Sequence, residues 1–146
     1  MQPASPRQTL TPAPDLRPAL LHPSSERLFI SVTRRMAIFG IDDAQCVSTL
    51  LTHFGSNYRR PLILMRALMV EIARTSQRKI LLAPPCCARI TTDEGIMLRA
   101  LQRSEADSTG CHADACALLG RDDALGAMTG FQAVSQAYAD LGHPFG

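Results

Sequence analysis

Two adjacent thiols, Cys86 and Cys87, lie between the diproline Pro84-Pro85 and the run Thr91-Thr92-Asp93-Glu94, which reads as a helix start. The thiolate is the reactive and metal-binding form of cysteine. The positive end of a helix and a nearby guanidinium, here Arg89, both favour it. The pair is therefore a candidate for reactive thiols. The competing reading is a packed, inert pair, since cysteine is among the most buried residue types. Two neighbours in sequence, however, cannot both point into one pocket. A disulfide between them would close a strained eight-membered ring and is not the expected resting state.

The other thiols and one imidazole extend the chemistry. His112 and Cys116 are four apart and share a helix face, whereas Cys111 and Cys116, five apart, diverge by about 140°. The sterically sensible metal set is therefore Cys86, Cys87, His112 and Cys116, a thiolate and imidazole combination of the kind zinc takes. No CxxC spacing accompanies it. Zinc at this set is an alternative to the main expectation, which is no cofactor. Cys46 falls in an apolar stripe and reads as a packed small hydrophobe.

Tyr58, Arg59 and Arg60 cluster just ahead of a helix start and form a candidate contact for an anion or a partner, against the plainer reading of a solvated basic turn. His22, His53 and His143 stand alone near chain or helix ends and read as surface residues. Asp93 and Glu94 are accounted for as first-turn charges on a helix dipole, so no acid–base role is assigned to them. The chain has no P-loop, GxSxG, HExxH or dinucleotide fingerprint, and no catalytic residue is proposed.

The elements that must hold these groups are helical. Only 5% of the residues are aromatic and none is Trp, so the core must be built from Leu, Ile, Val, Met and Ala, a palette suited to helix packing. One domain of 146 residues is expected, and 46% hydrophobic residues suffice for its core. The fold class is all-α: a bundle of five to seven short helices around a buried central helix. Residues 1–23, with six prolines, read as a disordered or extended tail. Residues 24–142 form the helical domain, and 143–146 a C-terminal tail.

Within the domain, Ser24 or Ser25 caps a first helix with Leu28, Val32, Met36 and Phe39 in its stripe, and Gly40 stops it. Asp42 or Asp43 opens a second helix that ends at Gly55. Pro61 pre-sets the start of a third, with Arg60 before it pushed toward extended geometry. From Leu62 to Ala73 only Arg66 and Glu71 are charged, so most of this helix's circumference is expected to be covered. Residues 79–85 cross in extended form, as a single segment without a strand partner. Thr91 and Glu94 predict a capping box opening a fourth helix to about Ser104. A polar loop then leads to a fifth helix over 111–119. The last helical region starts at Asp122 or Asp123, and Gly126, Gly130 and a capping pattern at Thr129 leave open a break there.

Charge is placed unevenly. Residues 27–103 carry 12 Arg or Lys against 5 Asp or Glu, and residues 104–146 carry 1 against 6. Either the two parts fold against each other and cancel, or the basic middle forms a face for an acidic partner. All but one of the cations are Arg, the residue suited to bidentate contacts. No apolar run approaches a membrane span, since Arg66 interrupts the longest, and LFISV is too short and too far in to be a signal. A cytosolic protein with reduced cysteines is expected.

The segments YRRPLILMRALMVEIARTSQRKILLAPPCCARITTDE and QAVSQAYADLGHPF resemble a family of small alphaproteobacterial proteins of unknown function, over about Arg27 to the C-terminus. The resemblance implies no activity. That family carries a further Cys where this chain has Pro85, which removes a ligand from any three-cysteine metal set it would imply.

Two functions follow as expectations. The first is a non-enzymatic interaction or regulatory module whose basic middle segment docks an acidic protein, with nucleic acid as the lesser alternative. The second is a thiol-based redox or metal sensor centred on Cys86 and Cys87. Membrane association is not expected, and the sequence leaves the oligomeric state open.

Overall fold

Three helix starts among the described residues are fixed by side chains that satisfy otherwise unpaired first-turn amides. The computed structural model describes residues 17–18 and 24–146, so the proline-rich segment expected as a tail lies, apart from Arg17 and Pro18, outside the described residues. Six α-helices follow: α1 (Ser24–Phe39), α2 (Ala44–Phe54), α3 (Arg59–Thr75), α4 (Thr92–Arg103), α5 (Ser108–Leu119) and α6 (Leu125–Asp140). Asp43 caps α2 by accepting from the Cys46 amide. Asp107 caps α5 by accepting from the Gly110 amide, so that helix starts three residues earlier than the polar composition of 104–110 suggests. Gly120 ends it in the left-handed region, at φ 67°, with the Gly120 and Arg121 amides both donating to the Cys116 carbonyl.

Helix α3 also starts early. A 3-10 turn, Gly55–Asn57, leads into it at Arg59, so Arg59 and Arg60 are helical and Pro61 is its third residue. The amides of a first turn have no intrahelical acceptor, so the missing proline N–H costs nothing there, and the steric bias against a helical Arg60 is overcome. The helix packs against α1, α2 and α6. It is central, yet its buried residues are Pro61, Leu62, Met65, Leu68 and Ile72, all on one side. Ile63 (60% exposed) and Val70 (45%) face outward, so the covering expected around most of its circumference is not there. Helix α1 is the more deeply set, with Phe29, Val32 and even Thr33 and Arg34 buried. Phe39, expected in its apolar stripe, is 57% exposed and lies under the Arg35 guanidinium at 4.5 Å.

Helix α6 does not break at Thr129. The Thr129 hydroxyl donates back to the Leu125 carbonyl, and the helix runs on to Asp140. Its glycines face α3: a Cβ on Gly130 would come within 2.8 Å of Leu68 Cδ1, and one on Gly126 would run into the Glu71 carboxylate. The propensity lost at these two positions is offset by the close approach of the two helices. At its far end, Tyr138 is fully buried with its hydroxyl donating to Met65 Sδ, and Phe145 packs on Tyr138 (4.8 Å between ring centroids) and edge-on to Phe29 (6.0 Å). The Ser25 hydroxyl donates to the Pro144 carbonyl, so residues 143–146 lie against the domain.

Between α3 and α4 the chain crosses without helix, as its prolines dictate. Arg89–Ile90 finds a short antiparallel partner, Arg17 pairing with Ile90 and Pro18 with Arg89. This pairing lies beyond residues 79–85, which cross without a strand partner as expected; a proline-rich stretch supplied too little pattern to identify Arg17–Pro18 as the partner of Arg89–Ile90.

Because Leu68 is itself buried, Gly130→Ala is expected to lower stability by about 1 kcal/mol in urea unfolding, although helix propensity alone favours alanine by about that amount. A stabilised Gly130→Ala protein would show that the two helices are not in close contact.

Candidate functional site

The crossing segment is fastened to the first turn of α4 by three side chains. Thr91 caps the helix, accepting from the Glu94 amide, while its hydroxyl donates to the Leu81 carbonyl at 2.7 Å. Asp93 accepts from the Leu81 amide at 2.8 Å and pairs with Arg78 at 3.1 Å. Glu94 completes the capping box by accepting from the Thr91 amide, and it also accepts from the Ala83 amide at 3.2 Å. The first-turn carboxylates therefore do more than balance a helix dipole: they replace the sheet neighbour that residues 81–83 lack.

On Glu94 sits Arg34, from the buried face of α1. The Arg34 Nε donates to Glu94 Oε2 at 2.7 Å and Nη2 donates to Oε1 at 2.9 Å, a bidentate pair with both side chains buried. The remaining guanidinium hydrogens go to the main chain of the thiol-bearing turn: Nη1 donates to the carbonyls of Pro84 (3.2 Å) and Cys87 (2.8 Å), and Nη2 to that of Arg89 (2.6 Å). The Cys87 amide closes the turn on the Pro84 carbonyl at 3.0 Å. Every N–H of Arg34 is thus used, which only the planar five-donor fork of arginine allows.

The thiols sit on the outside of this clamp. Cys86 is exposed and Cys87 half-buried, both free, with the side chains of Pro84, Pro85 and Arg89 exposed around them. The helix end that was expected to polarise them is already occupied by its capping box. The other thiols are different. Cys46 and Cys111 are fully buried, and burial first, then the neighbouring Asp43 or Asp114, pushes each from 9.0 up to about 11. Since the fold favours their neutral form, the stability they lend is complete below pH 9 and is lost as pH rises through about 11.

His112 and Cys116 do meet, as their spacing predicts, with Cys116 Sγ 3.5 Å from His112 Nε2. That nitrogen also accepts from the Ala124 amide at 3.1 Å and lies 3.4 Å from Asp123 Oδ1. Burial and then Asp123 and Asp122 push the Cys116 thiol up, so the pair is no activated nucleophile. Cys86 and Cys87 do not join it, and among the described residues no group of three His, Cys, Asp or Glu side chains is placed to hold a metal ion.

The third candidate cluster is partly spent. Tyr58 is half-buried at the start of α3, the Arg59 guanidinium lies 5.8 Å over its ring, and Arg60 pairs with Asp140 at 2.7 Å. The same holds for the basic middle as a whole. Arg60 with Asp140, and Arg99 and Arg103 with Asp114, join it to the acidic end, while Arg35, Arg66, Arg74 and Arg78 are paired within it. Four exposed cations, Arg59, Lys79, Arg89 and Arg121, make no ion pair among the described residues. The His53 and His143 rings meet edge-on with centroids 5.9 Å apart, whereas His22 lies outside the described residues.

Arg34 was not singled out by sequence. Its only signal is a charge in a stretch, Leu28–Met36, whose other members are mostly apolar, four residues after Ile30 on the same helix face.

The family of unknown function DUF6628 matches residues 17–134, from the short strand that pairs with Arg89–Ile90 through most of α6. This chain belongs to that family. The DUF6628 match spans both halves of the clamp, Arg34 and Glu94, and the turn between them. No curated protein and no solved structure matches the chain.

Removing one partner of a buried, fully bonded ion pair leaves the other charge stranded. Arg34→Met is expected to cost about 3–5 kcal/mol in urea unfolding, and Arg34→Met with Glu94→Leu markedly less than Arg34→Met alone. A double-variant loss equal to the sum of the Arg34→Met and Glu94→Leu losses would mean that the pair is not coupled.

Proposed function

We propose that this chain is a non-enzymatic interaction module that presents the Pro84–Arg89 turn to an acidic protein partner. The observation that carries the reading is the Arg34 clamp: a buried cation with all its donors engaged holds the main chain of a turn whose own side chains face solvent. A pre-organised loop loses little entropy on binding, which is the use to which such a clamp is suited. Lys79 and Arg89, two of the exposed cations without an ion pair among the described residues, give this surface its sign. Its setting is a bacterial cytosol, where the thiols stay reduced.

Binding should weaken as salt rises from 50 to 500 mM, and Lys79→Gln with Arg89→Gln should reduce it at least tenfold with thermal stability unchanged. Pull-down on the immobilised full chain, followed by titration against the captured partner, measures both. Capture of nucleic acid rather than protein, or binding indifferent to salt and to the two substitutions, overturns the reading.

The exposure of Cys86 supports a second reading, a thiol sensor centred on Cys86 and Cys87. On that reading Cys86 is alkylated in the folded protein faster than a free cysteine at pH 7, while Cys46 and Cys111 react only after unfolding. A Cys86 rate no greater than that of a free thiol ends it.

A further inference from the structure

The outward side of α3 and the crossing segment border an open apolar groove of about 480 Å3, a volume typical of small-molecule sites. Met36 of α1, Met69 of α3 and Met97 of α4 line it, together with Ile80 and Leu82 of the crossing segment. Half of the chain's six methionines meet here. Methionine side chains are flexible and polarisable and adapt to a flexible apolar guest, and the lining offers no aromatic ring on which a planar guest could stack.

Polar side chains enter the lining at one place only, just beyond the end of α3, where Ser76 and Arg78 stand. Arg78 is the lining's single charged residue. Its Nη1 donates to the Leu118 carbonyl and its Nη2 to Asp93, which fixes the guanidinium, while its Nε makes no bond among the described residues. The side chain is partly exposed at the groove's rim. An apolar groove with a guanidinium at its rim, held by Asp93 and the Leu118 carbonyl with its Nε hydrogen left free, complements an apolar chain with one anionic head.

The geometry points to this groove as a binding site for a straight-chain aliphatic carboxylate, its chain among Met36, Met69 and Met97 and its carboxylate at Arg78. The site is separate from the Pro84–Arg89 turn, and its occupancy requires no partner protein.

Calorimetric titration of the full-length protein with octanoate, decanoate and dodecanoate, each below its micelle concentration, tests it. The expected result is one-to-one binding that tightens about fourfold per added methylene, with dodecanol at least tenfold weaker than dodecanoate. Ala73 and Ala37 are exposed alanines in the lining, so Ala73→Phe and Ala37→Phe fill the groove without disturbing the core, and each is expected to weaken dodecanoate binding at least tenfold with an unchanged melting temperature. Absence of saturable binding, dodecanol binding as tightly as dodecanoate, or full binding by both alanine variants overturns the assignment.

Discussion

The structure depends on one buried ion pair. Arg34 and Glu94 are sixty residues apart, and each is satisfied several times over: Glu94 by the guanidinium and by the amides of Thr91 and Ala83, Arg34 by the carboxylate and by three carbonyls of the thiol-bearing turn. A buried pair of this kind gains little over a well-packed apolar core in net stability, because both charges are withdrawn from water. What it supplies is position. The segment 79–90 has two prolines, no helix and a two-residue strand pairing, so its polar main chain would be left without partners if α1 and the first turn of α4 did not provide them.

That constraint orders the rest of the fold. Thr91, Asp93 and Glu94 anchor the crossing segment on α4, Arg78 ties its start to the end of α5 through the Leu118 carbonyl, and the Gln77 amide donates to the Leu119 carbonyl at 2.8 Å. The small residues of α6 let α3 approach from the other side. Helix α3 is consequently shared between two jobs, packing on α6 along Met65 and Leu68 and bordering an open apolar groove along Met69 and Val70. The outward position of Val70 is a consequence of that division.

Much of this was legible in the sequence, and the residues show why. The capping box at Thr91, the Asp43 cap and the glycine stops are local patterns whose physics acts within one turn, and they fell where expected, as did the pairing of His112 with Cys116 four residues apart. The starts of α3 and α5 were misplaced by two or three residues, since Pro61 is tolerated anywhere in a first turn and Asp107 is one acid among several in a polar run. The cancellation of the basic middle by the acidic end, seen in Arg60 with Asp140 and in Arg99 and Arg103 with Asp114, was one of two readings that charge counting left open. Arg34 was illegible because its partners are main-chain carbonyls and a carboxylate that already had a local explanation in the capping box. Long-range contacts to the backbone leave no trace in composition or periodicity.

If the clamp orders the turn, the amides it depends on must share the protection of the core. The decisive measurement is amide hydrogen exchange, resolved by residue, at Ala83 and Thr91, which donate to Glu94. The account predicts that both exchange as slowly as the core of α1 and α4. Exchange at the rate of an exposed loop would contradict it.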